Sequence, residues 1–316
     1  MNYPADFWLP RQQPTMYFIG VTTAQSAIMR IFPRWSALWG LDAHLEGYDA
    51  PLHAPAATYR AIVNHIKHDP LSIGALVTTH KIDLLAVTRD LFDYLDPNAE
   101  LCGEVSAIFK RDGKLHGYAL DPISAGLAWR TFVPAGYFGA TGAEVLCLGG
   151  GGAAIALSAY LALGTTPADR PARLLTIDNQ VVRLHNLKQI HARFATTIQF
   201  HYMLNLSASE NDSMLDLLPT GSVVINATGL GKDRPGSPIT ESGIFPLRGI
   251  VWEMNYRGWL DFLQQADRQR ERRGLTITDG WNYFLHGWTL AISTIFEAPL
   301  TPALFTELDK AATAFR

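Results

Sequence analysis

The sequence predicts an α/β protein of two domains, one of them a Rossmann-type doubly wound sheet. Three observations predict it. At 316 residues the chain is long enough for two cores. Short apolar runs recur at 17–21, 73–77, 145–148, 174–178, 222–226 and 250–253, with helix-prone stretches between most of them. The run at 145–148 is followed by four glycines and then by Ala153-Ala154-Ile155-Ala156-Leu157.

That third stretch organises the chain. Val145-Leu146-Cys147-Leu148 suits a strand buried on both faces. Gly149, Gly150, Gly151 and Gly152 are poor helix residues and suit a tight turn whose backbone approaches something closely. A bare helix N-terminus beyond the turn favours an anion such as a pyrophosphate, with Ala153 in its first turn. Gly149, Gly151 and Ala154 meet the pattern G-x-G-x-x-A. Asp178 ends the next strand-like run, somewhat beyond the usual spacing of about 20 residues. A loop insertion at 164–171 accommodates the excess. A carboxylate there can accept hydrogen bonds from the ribose hydroxyls of NAD and would repel the extra phosphate of NADP. The other reading is a helix cap, since Asp178-Asn179 precedes Val181.

Composition excludes several classes. The formal net charge is −3 and no basic stripe is present, so nucleic acid is not an expected partner. Cys102 and Cys147 are the only cysteines, which points to a reducing cytoplasm rather than a disulfide framework. Residues 1–14 lack a basic start and an apolar core, so no leader is expected. Residues 145–168 carry no charge, but the glycines divide them. The helix left at 153–163 rises only about 16 Å against a hydrocarbon core of ~30 Å, so no membrane span is expected.

In chain order, 17–21 reads as a buried strand with a polar exit at 22–26, and 27–38 as a helix disturbed by Pro33. Residues 44–46 suit a short strand. Pro55 opens a helix as its first residue, in which Tyr59, Ile62, Val63 and Ile66 form one apolar stripe. His65 and His68 lie on that helix without a third ligand nearby, so a solvated face is expected and no metal. The strand at 73–77 runs into Thr78-Thr79-His80-Lys81 and a helix to about 92, with Thr79 a plausible N-cap. Lys81 then falls in a first turn, where the dipole disfavours a cation. Either the charge is needed there, or the lysine simply reaches into water, which composition alone favours. Asp112-Gly113 between strand-like runs at 105–109 and 115–118 signals a hairpin. Pro122 should keep Asp121 extended, and Asp121 or Ser124 starts a helix to about 132. Pro134-Ala135-Gly136 marks a domain boundary.

In the second half, 181–194 reads as a helix, and 197–202 and 222–226 as strands. Thr228-Gly229 follows a strand's carboxyl end, where open α/β sheets bind ligands, although an ordinary turn has the same composition. After the strand at 250–253, helices are expected at 259–273, 283–296 and 302–315. Trp281, Tyr283, Phe284, Trp288 and His286 read as core before they read as ligand contacts.

Several blocks, in order, resemble shikimate dehydrogenases and their quinate-oxidising relatives. Gly74-Ala75-Leu76-Val77-Thr78-Thr79-His80-Lys81 resembles G-x-N-V-T-x-P-x-K, one residue shorter and with Leu76 in the asparagine slot. Gly103-Glu104-Val105-Ser106-Ala107, Asp112-Gly113-Lys114-Leu115 and Gly117-Tyr118-Ala119-Leu120-Asp121 resemble G-A-V-N-T, D-G-x-L and G-Y-N-T-D. Ile225-Asn226-Ala227-Thr228-Gly229-Leu230-Gly231 resembles I-N-A-T-P-x-G. The resemblance implies a substrate-binding catalytic domain at 1–135, completed by helices returning at 279–316, and a dinucleotide-binding domain at 136–278, with a cleft between them. It also implies Lys81 as acid/base and Asp121 as its orienting partner.

Departures from the family pattern bear on the substrate. The stretch matching H-S-x-S-P, Gln25-Ser26-Ala27-Ile28-Met29, keeps only the first serine. Ser106 replaces the asparagine, and the glutamine slot of G-x-x-M-L-x-x-Q is Gly287, beside His286. Ser26, Thr78, Ser106, Tyr256 and His286 are the candidate substrate contacts, and Gly149, Gly150, Gly151, Gly152, Ala153, Asp178, Asn179, Thr228 and Gly229 the candidate cofactor contacts. The expected ligand is a cyclic hydroxy acid or cyclitol, with shikimate or quinate itself left open. Where the family has N-R-T, this chain has Asp178-Asn179-Gln180, which favours NAD, while Arg173 and Arg183 keep NADP open. A homodimer is left open, as is a nucleotide-holding regulator without catalysis.

Overall fold

The structure is a computed structural model and describes residues 5–232 and 234–316. The first four residues of the stretch read for a leader lie outside it. The chain forms two compact units, 1–120 with 287–316, and 121–286.

The first unit holds β1 (Thr15–Gly20), β2 (His44–Asp49), β3 (Ser72–Val77), β4 (Tyr94–Leu95), β5 (Ala107–Arg111) and β6 (Lys114–Tyr118) in one sheet of order β2-β1-β3-β5-β6-β4. β1 pairs parallel with β2 and β3, and β5 runs antiparallel to β3 and β6. The predicted hairpin joins β5 to β6 through Asp112 (φ 51°) and Gly113 (φ 73°), the left-handed pair a tight hairpin turn needs. The helix Ala56–His68 buries its predicted stripe completely, with Tyr59, Ile62, Val63 and Ile66 at most 1% exposed. Pro55 caps this helix from outside instead of opening it. The helix Ile28–Trp39 passes through Pro33 unbroken. Proline costs a helix interior about 3 kcal/mol, and burial of Ile28, Ile31, Phe32 and Trp35 on the other face offsets that. The C-terminal helix Pro302–Thr313 returns to this unit, where the Trp35 indole N–H donates to the Leu308 carbonyl at 2.7 Å.

The second unit holds β7 (Val145–Leu148), β8 (Arg173–Asp178), β9 (Gln199–Leu204), β10 (Val223–Asn226), β11 (Ile250–Glu253) and β12 (Thr276–Thr278). The order is β12-β11-β10-β7-β8-β9 and every neighbouring pair is parallel, so the sheet winds outward from β7 in both directions. Leu146, Leu148, Leu175, Ile177, Val224 and Val251 form the core of one face.

Some expectations are corrected. Thr79 does not cap the helix Lys81–Thr88: His80 holds that position, and Thr79 is left-handed (φ 53°). A β-branched side chain adopts that conformation only at a cost. Asp121 is not extended but begins the helix Asp121–Trp129, whose second residue is Pro122, where a missing N–H loses no bond. This helix packs with the second unit, so close that a Cβ at Gly126 would sit 2.4 Å from the Tyr160 ring. Residues 121–135 therefore group with the second unit, although Pro134-Ala135-Gly136 has the composition of a boundary. The single helix expected at 259–273 is split into Asp261–Asp267 and Arg270–Arg273, preceded by left-handed Leu260 (φ 50°). Among the described residues, no helix is long and apolar enough to cross a membrane, and no cluster of side chains has the makings of a metal site.

A buried histidine joins three elements of the second unit. Ser158 donates its hydroxyl to the Ile155 carbonyl, so His191 Nε2–H donates to Ser158 Oγ at 2.8 Å and Nδ1 accepts from the Tyr202 hydroxyl at 2.9 Å. Burial pushes the His191 imidazole down to about 3. The unfolded chain takes up this proton near the usual ~6.5 and the folded chain does not, so the stabilisation is complete above that pH and is lost as the pH falls through it. The stability advantage over His191→Phe, read as urea midpoints, should shrink by about 1 kcal/mol between pH 7.5 and 5.5. A gap independent of pH over that range would contradict a neutral, desolvated His191.

Candidate dinucleotide and acid–base sites

In the second unit, the predicted turn lies at the carboxyl edge of the sheet, between the two directions of winding. Gly149 has φ 108°, and a Cβ there would lie 2.8 Å from the Ala227 carbonyl carbon, so only glycine fits. Gly150 N–H donates to Asp178 Oδ2 at 2.8 Å. Asp178 Oδ1 accepts the Gln180 N–H, also at 2.8 Å. The carboxylate thus closes the turn and holds the next loop, but it does not cap the helix Val181–His191, whose N-cap is Gln180. Asn179 beside it is exposed, and Arg183 reaches to 3.7 Å of Asp178 Oδ2 while half-exposed. The helix Gly152–Leu163, with Ala153 in its first turn, begins without a side-chain cap. A Cβ on Gly151 would meet nothing within 4 Å. Uncapped N–H groups, a positive dipole end and open space suit a pyrophosphate.

Thr228 and Gly229 follow β10 and are clamped by groups that sequence reasoning missed. Asn226 Oδ1 accepts both the Thr228 N–H (3.0 Å) and hydroxyl (2.6 Å). Asn255 Nδ2 donates to the Thr228 carbonyl at 3.0 Å. Beneath both lies Glu253, fully buried, accepting from Asn226 Nδ2 and Asn255 Nδ2 at 2.6 Å each. Burial pushes the Glu253 carboxyl up to about 7, against the pull of the Asn255 and Asn226 hydrogen bonds. The available signal was an acid ending an otherwise apolar strand. Tyr256, three residues past β11, lays its ring 4.3 Å from that of Phe284, and Trp281 is buried against the same ring, so this cluster packs as core. His286 lies half-buried on the helix Trp281–Ile295. Cys147, mid-strand, is an inert thiol that burial pushes up to about 12.

In the first unit, Ser26, Thr78, Lys81 and Ser106 lie at one edge of the sheet, where β1 and β3 end and β5 begins. Thr78 N–H donates to the Ile19 carbonyl, and Val77 N–H to that of Ser106. Lys81 is the first residue of its helix. The residue before it is held from two sides: His80 Nε2–H donates to the Gly20 carbonyl at 3.2 Å, so Nδ1 accepts from the Tyr59 hydroxyl at 2.9 Å. Burial pushes the His80 imidazole down, which keeps it neutral. Ser106 turns its hydroxyl to the backbone, accepting the Leu120 N–H at 2.8 Å and donating to the Tyr118 carbonyl at 3.4 Å. It thereby fixes the chain one residue before Asp121. Asp121 opens the second unit, half-buried.

Comparison with known proteins follows the same lines. The shikimate dehydrogenase (NADP(+)) of Caulobacter vibrioides is 26% identical over 273 residues, which is 85% of this chain and 85% of that protein. The shikimate 5-dehydrogenase of Thermus thermophilus, solved in complex with NADP(H) and shikimate, matches with a TM-score of 0.69 at 20% identity, over 96% of this chain and 99% of that one. The chain has the shikimate dehydrogenase fold. No protein-family model matches it. The 5-ketofructose reductase of Gluconobacter sp. strain CHM43 has the same architecture, with a TM-score of 0.67 at 18% identity over 95% and 98% of the two chains. The shikimate dehydrogenase fold thus carries proteins named for different substrates, and the site has to decide the chemistry.

Proposed function

We propose that the chain is a shikimate dehydrogenase-like oxidoreductase that moves a hydride between NAD and a secondary hydroxyl or ketone of a cyclic hydroxy acid or cyclitol. The observation that carries this reading is the glycine turn at the switch point, closed by Asp178 and followed by an uncapped helix. The Caulobacter and Thermus relatives are named for NADP. Here the acid on the turn and the missing N-R-T segment favour NAD; Arg183 beside Asp178 is a cation that would serve NADP, while Arg173 is paired with Glu144.

The dinucleotide, when bound, supplies or accepts the hydride. The chain supplies the rest. Lys81 takes the hydroxyl proton during oxidation and returns it during reduction, and its ammonium stabilises the developing alkoxide. Asp121 orients the amine and grips a substrate hydroxyl. Thr78 and Ser26 are candidate direct substrate contacts. Ser106 serves by fixing the chain at Leu120.

The test is a turnover screen with NAD and with NADP against shikimate, quinate, 5-ketofructose and a set of cyclitols and ring hydroxy acids, followed through reduced-nicotinamide absorbance. NAD-linked turnover of at least one ring compound, faster than that of shikimate, is the expected result. Tight dinucleotide binding without turnover of any of them would favour a nucleotide-holding regulator instead.

A further inference from the structure

The first unit buries a carboxylate that the proposed chemistry leaves unused. Glu104 is 0% exposed, and neither of its carboxylate oxygens has a hydrogen-bond partner. The resembling family block, G-A-V-N-T, carries alanine at this place. An unsolvated, unpaired carboxylate is among the costliest groups a core can hold, so a buried acid where a methyl group would serve either takes up a proton or is offset by an opposite charge. The backbone brings Lys81 close in the chain's fold. Val105 N–H, the next residue's, donates to the Lys81 carbonyl at 3.4 Å, tying the Glu104 turn to the first residue of the lysine's helix. Burial pushes the Glu104 carboxyl up, and the Lys81 charge opposes that shift.

Asp121 is the other acid assigned to the lysine, as its orienting partner; three further titratable groups of this unit are engaged elsewhere. Asp83, on the same helix, meets His53 at 3.0 Å. Asp96 caps the helix Pro97–Cys102 through the Ala99 and Asn98 N–H groups and also accepts the Ala119 N–H. His80 is neutral between Tyr59 and Gly20. A lysine at a helix N-terminus meets an unfavourable dipole, and an anion buried behind it offsets that field.

We propose that Glu104 is a buried counter-charge to Lys81, a positioning residue that acts on substrate only through the lysine amine. The proposal takes Lys81 to be the acid/base of the reaction, as above. Glu104 keeps the amine protonated to higher pH and holds it at the carboxyl edge of β3.

The test needs no substrate. Lys81 is acylated with limiting acetic anhydride across a pH series, and its labelling midpoint is read by peptide mass spectrometry in the parent protein, in Glu104→Gln and in Glu104→Asp. Loss of an opposite charge at close range should lower the Lys81 midpoint by about one pH unit or more in Glu104→Gln, while Glu104→Asp keeps the charge and stays near the parent. Should the amide variant fold poorly, Glu104→Leu gives the same reading. Coincident midpoints in the parent and the uncharged variant overturn the proposal, and they do so whether or not Lys81 proves essential for turnover. A shifted midpoint with Lys81→Ala fully active would instead keep the pair and remove the catalytic role.

Discussion

Replacing Lys81 with alanine should lower kcat by about 10²- to 10⁴-fold on whichever ring compound the parent protein turns over, the range a positioned acid/base contributes. Dinucleotide affinity should not change, because the groups proposed to hold the dinucleotide are the glycine turn and Asp178. Lys81→Arg separates two roles of the same charge. The guanidinium keeps the positive charge that steadies an alkoxide, yet it cannot release a proton near neutral pH. If proton transfer is the lysine's task, arginine should fail nearly as badly as alanine. If only charge matters, arginine should recover most of the rate. Asp121→Asn, isosteric and uncharged, should cost less than either and should appear mainly in kcat, as expected of an orienter. Full activity in Lys81→Ala would remove the acid/base assignment outright and leave the fold with another chemistry.

Much of this protein was legible where one physical requirement dominates a stretch. The turn from Gly149 to Gly152 could be read because no other residue tolerates Gly149's left-handed backbone against Ala227. The stripe of Tyr59, Ile62, Val63 and Ile66 could be read because burial alone sets its period. What escaped depends on partners distant in sequence. Ser106 looked like a substrate contact alone, whereas its hydroxyl also bonds Tyr118 and Leu120, residues brought near by the β5–β6 hairpin. Thr79 looked like a cap because a cap is judged by residue type, whereas its backbone is left-handed and His80 takes the cap position. Glu253 looked only like the end of a strand, and Asn255 had no assigned role. Their work, clamping the Thr228 turn from below, shows only once β10 and β11 lie side by side. Glu104 sat inside a block read for its glycine and its serine, and its significance depends on total burial, which no local pattern reports.

The glycine turn allows binding and folding to be separated by two substitutions two residues apart. Gly151 is extended (φ −85°, ψ −166°), a conformation open to any residue, and a Cβ there touches nothing within 4 Å. Gly151→Val should therefore fold with an unchanged Tm. Its side chain, however, fills the space in front of the bare N–H groups of the helix Gly152–Leu163, where a pyrophosphate would be held. Loss of two charge-assisted hydrogen bonds at that site corresponds to roughly 3 kcal/mol or more, so the Kd for NAD should rise at least about 100-fold by calorimetry. Gly149→Val should behave differently. Its φ of 108° and its 2.8 Å approach to Ala227 force strain into β7 and β10, so Tm and binding fall together. If Gly151→Val bound NAD as tightly as the parent protein, the dinucleotide would have to lie elsewhere, and the open space at the switch point would have no ligand to explain it.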